Sequence, residues 1–377
     1  MAPLESADVC VIGGGVVGTA VALALARRGV EVLLLEAEPE LALGASGTNS
    51  GILHSGFDSP PDELETRLIL RSGDLRDQVL EPLAVPVLRC GAEVRDSAED
   101  PGAISALAER AARNRVRVEL EDDRLLIPGE AVTDPVQMTL ALSRAAEQLG
   151  ARSRCSTRVV GIECGDEIVL SGEMGELARC RAAVNCAGLY ADEIARAAGD
   201  DGFRIYPRKG EFVVLQPKGD APPLRRILLP VPTPRTKGVL VFPAIDGTVI
   251  AGPTAVDQED KRDWNVSQPA AQRLLEQARR IEPALAGYEH VFSYAGLRPA
   301  GADGVNYLIE RSRSCSRLVH VAAIRSTGLS ASLGIAEYVS ELLEASGIEL
   351  GESRATPRLE PAEPRTPWWR RSAEYWT

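Results

Sequence analysis

Gly13, Gly15 and Gly18 stand in the run Gly13-Gly14-Gly15-Val16-Val17-Gly18, and Glu36 follows 18 residues after Gly18. Glycines at that spacing allow a tight turn, a close backbone approach to a pyrophosphate and a close helix–strand contact. An acid at that distance suits the ribose hydroxyls of a dinucleotide. Other reactive residues are scarce. Of 42 cationic residues only four are lysines (Lys209, Lys218, Lys237, Lys261), all within 53 residues, and there are three histidines. His54 lies in a loop rich in glycine and hydroxyls, Gly44 to Gly56, where an imidazole that titrates near neutrality would serve as a base. His320, inside an apolar strand, reads as a core residue, and His290 has no motif around it. The seven cysteines are odd in number, with no pair at CxxC spacing. No zinc ribbon, iron–sulfur cluster or other metal site is expected, and free thiols point to a reducing, cytoplasmic setting.

The elements that must position these groups follow from the apolar pattern. Asp8 to Ile12 is a short buried strand that ends at the glycine turn. Thr19 to Arg28 is an alanine-rich helix closed by Gly29, and Val30 to Leu35 is a second strand that delivers Glu36. Glutamate and aspartate precede the apolar stretch Val9 to Ala26, and glycines interrupt it, which excludes a signal peptide or membrane span. Strand, glycine turn, helix and strand together give a dinucleotide site. The loop from Leu43 to Gly56, small and polar throughout, would let the chain run past a second large ring, which favours FAD over NAD.

These segments resemble the FAD-dependent superfamily of D-amino-acid oxidase, sarcosine oxidase, glycerol-3-phosphate dehydrogenase and L-2-hydroxyglutarate dehydrogenase. Ala182 to Asp192 resembles the strand and turn over the FAD pyrophosphate, and Leu318 to Ser330 resembles the last flavin-contacting strand, loop and helix. The resemblance implies an α/β architecture: a Rossmann-like FAD-binding domain of the glutathione-reductase type, from 1–85, 135–205 and 295–347, interleaved with an antiparallel substrate domain from 86–134 and 206–294. It implies FAD contacts at Gly13, Gly15, Val16, Val17, Gly18, Glu36, Ala37, Ala45, Ser46, Asn49, Ser50, Gly51 and Val159. Further contacts are implied at Ala187, Gly188, Gly296, Arg298, Thr327, Gly328, Leu329 and Ser330. The amides of Gly328 and Leu329 at a helix start would stabilise negative charge on the reduced ring.

The motifs Pro232 to Val241, Ala251 to Ala255 and Tyr294-Ala295-Gly296-Leu297-Arg298-Pro299 look most like the glycerol-3-phosphate dehydrogenase branch. The resemblance implies that Arg298 and Lys237 hold the anionic end of a small substrate, sn-glycerol 3-phosphate first, and that His54 is the base or a covalent FAD tether. A 2-hydroxy acid such as L-2-hydroxyglutarate, or an amino acid or secondary amine, is the alternative, as is a flavin subunit of a larger electron-transfer assembly. Arg325 stands where relatives carry an uncharged polar residue. Lys209 and Glu211 are expected to pair with each other.

The net charge of −12 over 377 residues argues against nucleic acid as a partner. Beyond Gly351 four prolines predict an extended linker, 351–377, ending in an aromatic cluster with three of the four tryptophans. That cluster is expected to dock on the chain itself, another subunit, a redox partner or a membrane surface. Longer relatives carry an iron–sulfur domain beyond this point; without one, electrons are expected to leave to oxygen, a quinone or a partner redox protein.

Overall fold

The computed structural model describes residues 5–95, 102–231, 238–304, 306–364 and 366–377. The strand Glu5–Ile12 lies between Val32–Leu35 and Gly175–Asn185, parallel to both. Its neighbours make it a strand buried on both faces, so Val9, Cys10 and Val11 are all inaccessible. The sheet around it has eight strands. Arg152–Arg154 lies parallel beyond Val32–Leu35, and Leu318–Ala322 lies parallel to the end of Gly175–Asn185. The helix Val16–Arg27 follows the glycine turn and packs against Pro135–Gln148 and Gly328–Glu344. Asp134 caps Pro135–Gln148, accepting from the Val136 and Gln137 amides at 2.9 Å each.

A nine-stranded, mostly antiparallel sheet forms the other half. Its spine is the long pair Ile205–Pro217 and Tyr288–Gly301, antiparallel from Ile205 opposite Gly301 to Pro217 opposite Tyr288. The position 294/295, expected to divide two domains, falls inside this continuous strand. The chain from 87 to 95 holds two strands, Val87–Leu88 and Ala92–Arg95, which join different sheets. A third sheet of three short strands, Ile52–Leu53, Ala131–Thr133 and Val87–Leu88, lies at the junction. The mixed α/β architecture is the one expected.

The proline-rich segment after Gly351 is irregular, as anticipated, but the aromatic end is the helix Trp368–Trp376. Its buried residues Trp368, Trp369, Ser372 and Ala373 fall on one helical face and pack on this same chain. Among the described residues no helix is long and apolar enough to cross a membrane, and no cluster of His, Cys, Asp and Glu could hold a metal.

Candidate active site

A cavity of about 340 Å³ runs from the carboxyl end of the first strand, along the glycine turn, to the start of the helix Gly328–Glu344. Its walls include Gly13, Gly15, Val16, Val17, Glu36, Ala37, Ala45, Ser46, Asn49, Val159, Ala187, Gly188, Gly328 and Leu329. All fourteen are among the positions expected from sequence. The turn is shaped for close approach. A Cβ on Gly13 would lie 2.4 Å from Cys186 O, and one on Gly18 would lie 2.0 Å from Gly13 O, so the helix can start only if both are glycine. The cap residue of that helix is Gly15, which offers no side-chain cap. Ser46 from the following loop accepts from the Val16 amide at 2.9 Å. The Gly328–Glu344 helix likewise starts without a side-chain cap. Two helix N-termini whose own cap residues make no side-chain cap, facing one elongated cavity with an acid at one end, fit a long, anionic dinucleotide.

Glu36 is held by two backbone amides: its carboxylate accepts from the Gly14 amide at 2.6 Å and the Glu38 amide at 2.9 Å. Burial pushes its carboxyl above the usual range, against the pull of those amides.

The remaining expected contacts stand behind the wall. Gly18 packs on the turn. Gly51, at φ 81°, crosses over Thr133 O, and its amide donates to Asn49 Oδ1 beside Ser50. Gly296 lies against Thr48, where a Cβ would meet Thr48 O at 2.8 Å. Thr327 donates to Glu65 at 2.6 Å and bonds the Tyr307 hydroxyl at 2.7 Å. Ser330 ties the loop to the helix, accepting from the His54 amide at 2.8 Å and donating to Ile52 O at 3.2 Å.

His54 is 9% exposed. Its Nδ1–H donates to Glu130 Oε2 at 2.9 Å, leaving Nε2 without a protein partner among the described residues. Strand register explains the pair. Ile52 opposes Val132 and Leu53 opposes Ala131, so the next step along both strands brings His54 to Glu130. Glu130 is fully buried and also accepts from the Ser55 amide at 2.6 Å and hydroxyl at 2.8 Å. Burial alone would raise its carboxyl, but the His54 charge and these hydrogen bonds outweigh it and hold it below the usual range. Nothing in the sequence near Glu130 marks it, since its partner is 76 residues away.

Arg298 is half-buried and turns its guanidinium onto backbone carbonyls: Nε to Arg208 O at 3.1 Å, and Nη2 to Lys209 O at 3.1 Å and Thr254 O at 2.7 Å. Nη1 has no partner among the described residues. Burial, helped by the Arg208 charge, brings its pKa down to about 10, so it stays cationic at neutral pH. The adjacent Pro299 lines the cavity. Lys237 lies outside the described residues. Lys209 and Glu211 do not pair. Lys209 bonds Asp263 at 2.6 Å, and Glu211 takes Thr254 Oγ1 at 2.9 Å and the Ser267 amide at 2.8 Å, because the 254–267 segment folds over both. Arg325 lines the cavity with φ 50° and is held by Glu65. His320 is a core residue, as expected, between Asn185 at 3.1 Å and Asp200 at 3.3 Å. Trp264 and Trp376, neither anticipated, line the cavity from the far side.

The chain is similar to characterised proteins over most of its length. A glycerol 3-phosphate dehydrogenase of Caloramator mitchellensis is 29% identical over 93% of this chain and 78% of its own. The human mitochondrial L-2-hydroxyglutarate dehydrogenase is 29% identical over 68% of this chain and 62% of its own. The structure of dithionite-reduced L-alpha-glycerophosphate oxidase from Mycoplasma pneumoniae with FAD bound superposes with a TM-score of 0.86 at 25% identity, over 96% of this chain and all of that one. Residues 8–342 match the family described as FAD dependent oxidoreductase. The chain is therefore a flavoenzyme that uses FAD, a member of the FAD dependent oxidoreductase family.

Proposed function

We propose that this flavoenzyme oxidises a small anionic secondary alcohol, with sn-glycerol 3-phosphate first, and that His54 takes the hydroxyl proton. The observation that carries the mechanism is the buried His54–Glu130 pair, tied through Ser330 to the helix that closes the cavity. The choice of alcohol rests on the glycerol 3-phosphate relatives, which match more than nine-tenths of the chain.

FAD, when bound, supplies the two-electron acceptor for the hydride of the alcohol carbon. Removing that hydride leaves a hydroxyl that must lose its proton. A neutral His54 Nε2 accepts it, while the Glu130 carboxylate fixes the tautomer with Nδ1–H and stabilises the imidazolium that results. Arg298 Nη1 and Lys237 supply positive charge for the anionic end; a guanidinium held in place by carbonyls forms such a contact with little loss of side-chain freedom. The product is a ketone with the same anionic group, and oxygen or another acceptor would take up the two electrons.

The test is anaerobic mixing of the FAD-replete protein with glycerol 3-phosphate, L-2-hydroxyglutarate and a secondary amine in parallel. The visible absorbance of the oxidised flavin should bleach fastest with glycerol 3-phosphate. Faster bleaching by L-2-hydroxyglutarate would move the substrate to a carboxylate while leaving His54 in its role.

A further inference from the structure

Between Leu35 and Ile52 the chain has no strand or helix, yet residues 36–38, 42–46 and Asn49 of that stretch line the cofactor cavity. A loop with no ladder of its own is ordered by what it bonds to elsewhere. Glu36, Ala42 and Ser46 are tied to the glycine turn, and a second set of ties comes from the helix Trp368–Trp376. Three successive carbonyls of the loop accept from it: Leu41 O from Arg371 Nη2 at 3.1 Å, Ala42 O from Ser372 Oγ at 3.2 Å, and Leu43 O from Trp376 Nε1 at 2.7 Å. The Tyr375 hydroxyl donates to Glu38 Oε2 at 2.7 Å. The fit is close at Gly47, where a Cβ would lie 2.0 Å from Ser372 Oγ.

The same helix also holds the antiparallel sheet. Trp369 Nε1 donates to Asp246 Oδ2 at 2.9 Å, and Trp368 packs edge-on to Tyr294. Its final turn stacks Trp376 on Trp264, with ring centroids 5.0 Å apart and planes at 12°. Both rings stand in the cavity wall, one from the last helix and one from the 254–267 segment.

We propose that the helix Trp368–Trp376 is a working part of the FAD-binding site, with Trp376 as the residue that closes it. The helix holds the cofactor loop and the Trp264 segment together, so that bound FAD leaves only after Trp376 has been peeled from Trp264 and Leu43. This rests on the cofactor and not on the substrate proposed above, so the two fail separately.

The test uses the full chain and reads FAD binding rather than turnover. Trp376→Ala removes one stacked aromatic pair and one hydrogen bond and should raise the FAD dissociation constant and release rate about tenfold. Trp376→Phe, which keeps a ring on Trp264, should stay within about threefold of the parent. Deleting residues 368–377 should cost more than Trp376→Ala. Cooperative thermal unfolding of the apoprotein is measured alongside, and should persist in Trp376→Ala with a modestly lower midpoint. Equal FAD affinity and release in parent and Trp376→Ala would overturn the proposal. Loss of cooperative folding in apo Trp376→Ala would also overturn it, by making the helix a requirement of the fold rather than of the cofactor site. A deletion variant that fails to fold leaves the Ala and Phe pair as the deciding comparison.

Discussion

Glu130 fixes the ring of His54 through Nδ1 and leaves Nε2, the atom proposed to take the proton, without a protein partner among the described residues. Glu130→Gln keeps the shape of the side chain but removes the charge that stabilises the protonated ring. It should slow anaerobic flavin reduction on the order of 10²-fold while the FAD content stays the same. The same residue has a signature in stability. Its folded pKa is lowered, so its contribution is present above the ordinary carboxylate range near about 4.3 and is lost as pH falls through the lowered value. The stability gap between parent and Glu130→Gln should therefore shrink as pH drops below about 4, read as urea midpoints across pH. His54 was legible in the sequence because a lone histidine stood in a loop of small residues. Glu130 was not, because only the register of two short strands brings it to His54. The expected Lys209–Glu211 pair failed for a related reason: each side chain reaches a partner from a distant loop that sequence spacing does not reveal.

At the scale of elements, the strand, glycine turn and helix at the N-terminus were legible in type and order, because the glycines between them are required by contacts, but not to their ends: the strand starts at Glu5 rather than Asp8 and the helix at Val16 rather than Thr19. Gly18 and Gly15 are required by different things. A methyl at Gly18 meets the Gly13 carbonyl at 2.0 Å, which is backbone and cannot turn away; a methyl at Gly15 meets Ser46 Oγ at 2.9 Å, which can. Gly18→Ala should therefore lower stability by about 1–3 kcal/mol and lower Tm with it. Gly15→Ala should leave Tm of the apoprotein near the parent value and weaken FAD binding, read by thermal melts and flavin titration. The last helix was the least legible element. Trp368, Trp369, Ser372, Ala373 and Trp376 have helical spacing, but four prolines just upstream made the whole segment read as extended. Nine residues are too few for that pattern to stand out, and such a helix is stable only on the surface it docks against.

Across the whole molecule, two sheets are joined by continuous chain rather than by a hinge: the strand Tyr288–Gly301 carries Tyr294 in the antiparallel core and Pro299 in the cavity wall. Arg298 lies between them and fastens its carbonyl partners at the point where the two halves meet. The acidic balance of −12 makes this local cation conspicuous, since an anionic substrate would otherwise approach a surface of its own sign. The architecture and its cofactor were readable from motifs. The strapping of one half to the other by the last helix was not, because it depends on contacts more than 300 residues apart in sequence, such as Leu43 with Trp376.

The central claim is that hydride leaves the hydroxyl-bearing carbon of sn-glycerol 3-phosphate as His54 takes the proton. The most direct measurement is the rate of anaerobic flavin reduction by glycerol 3-phosphate carrying hydrogen or deuterium at C2. The account predicts full bleaching with both and a clearly slower rate with deuterium. Absence of bleaching, or equal rates when the chemical step is observed directly, would contradict it.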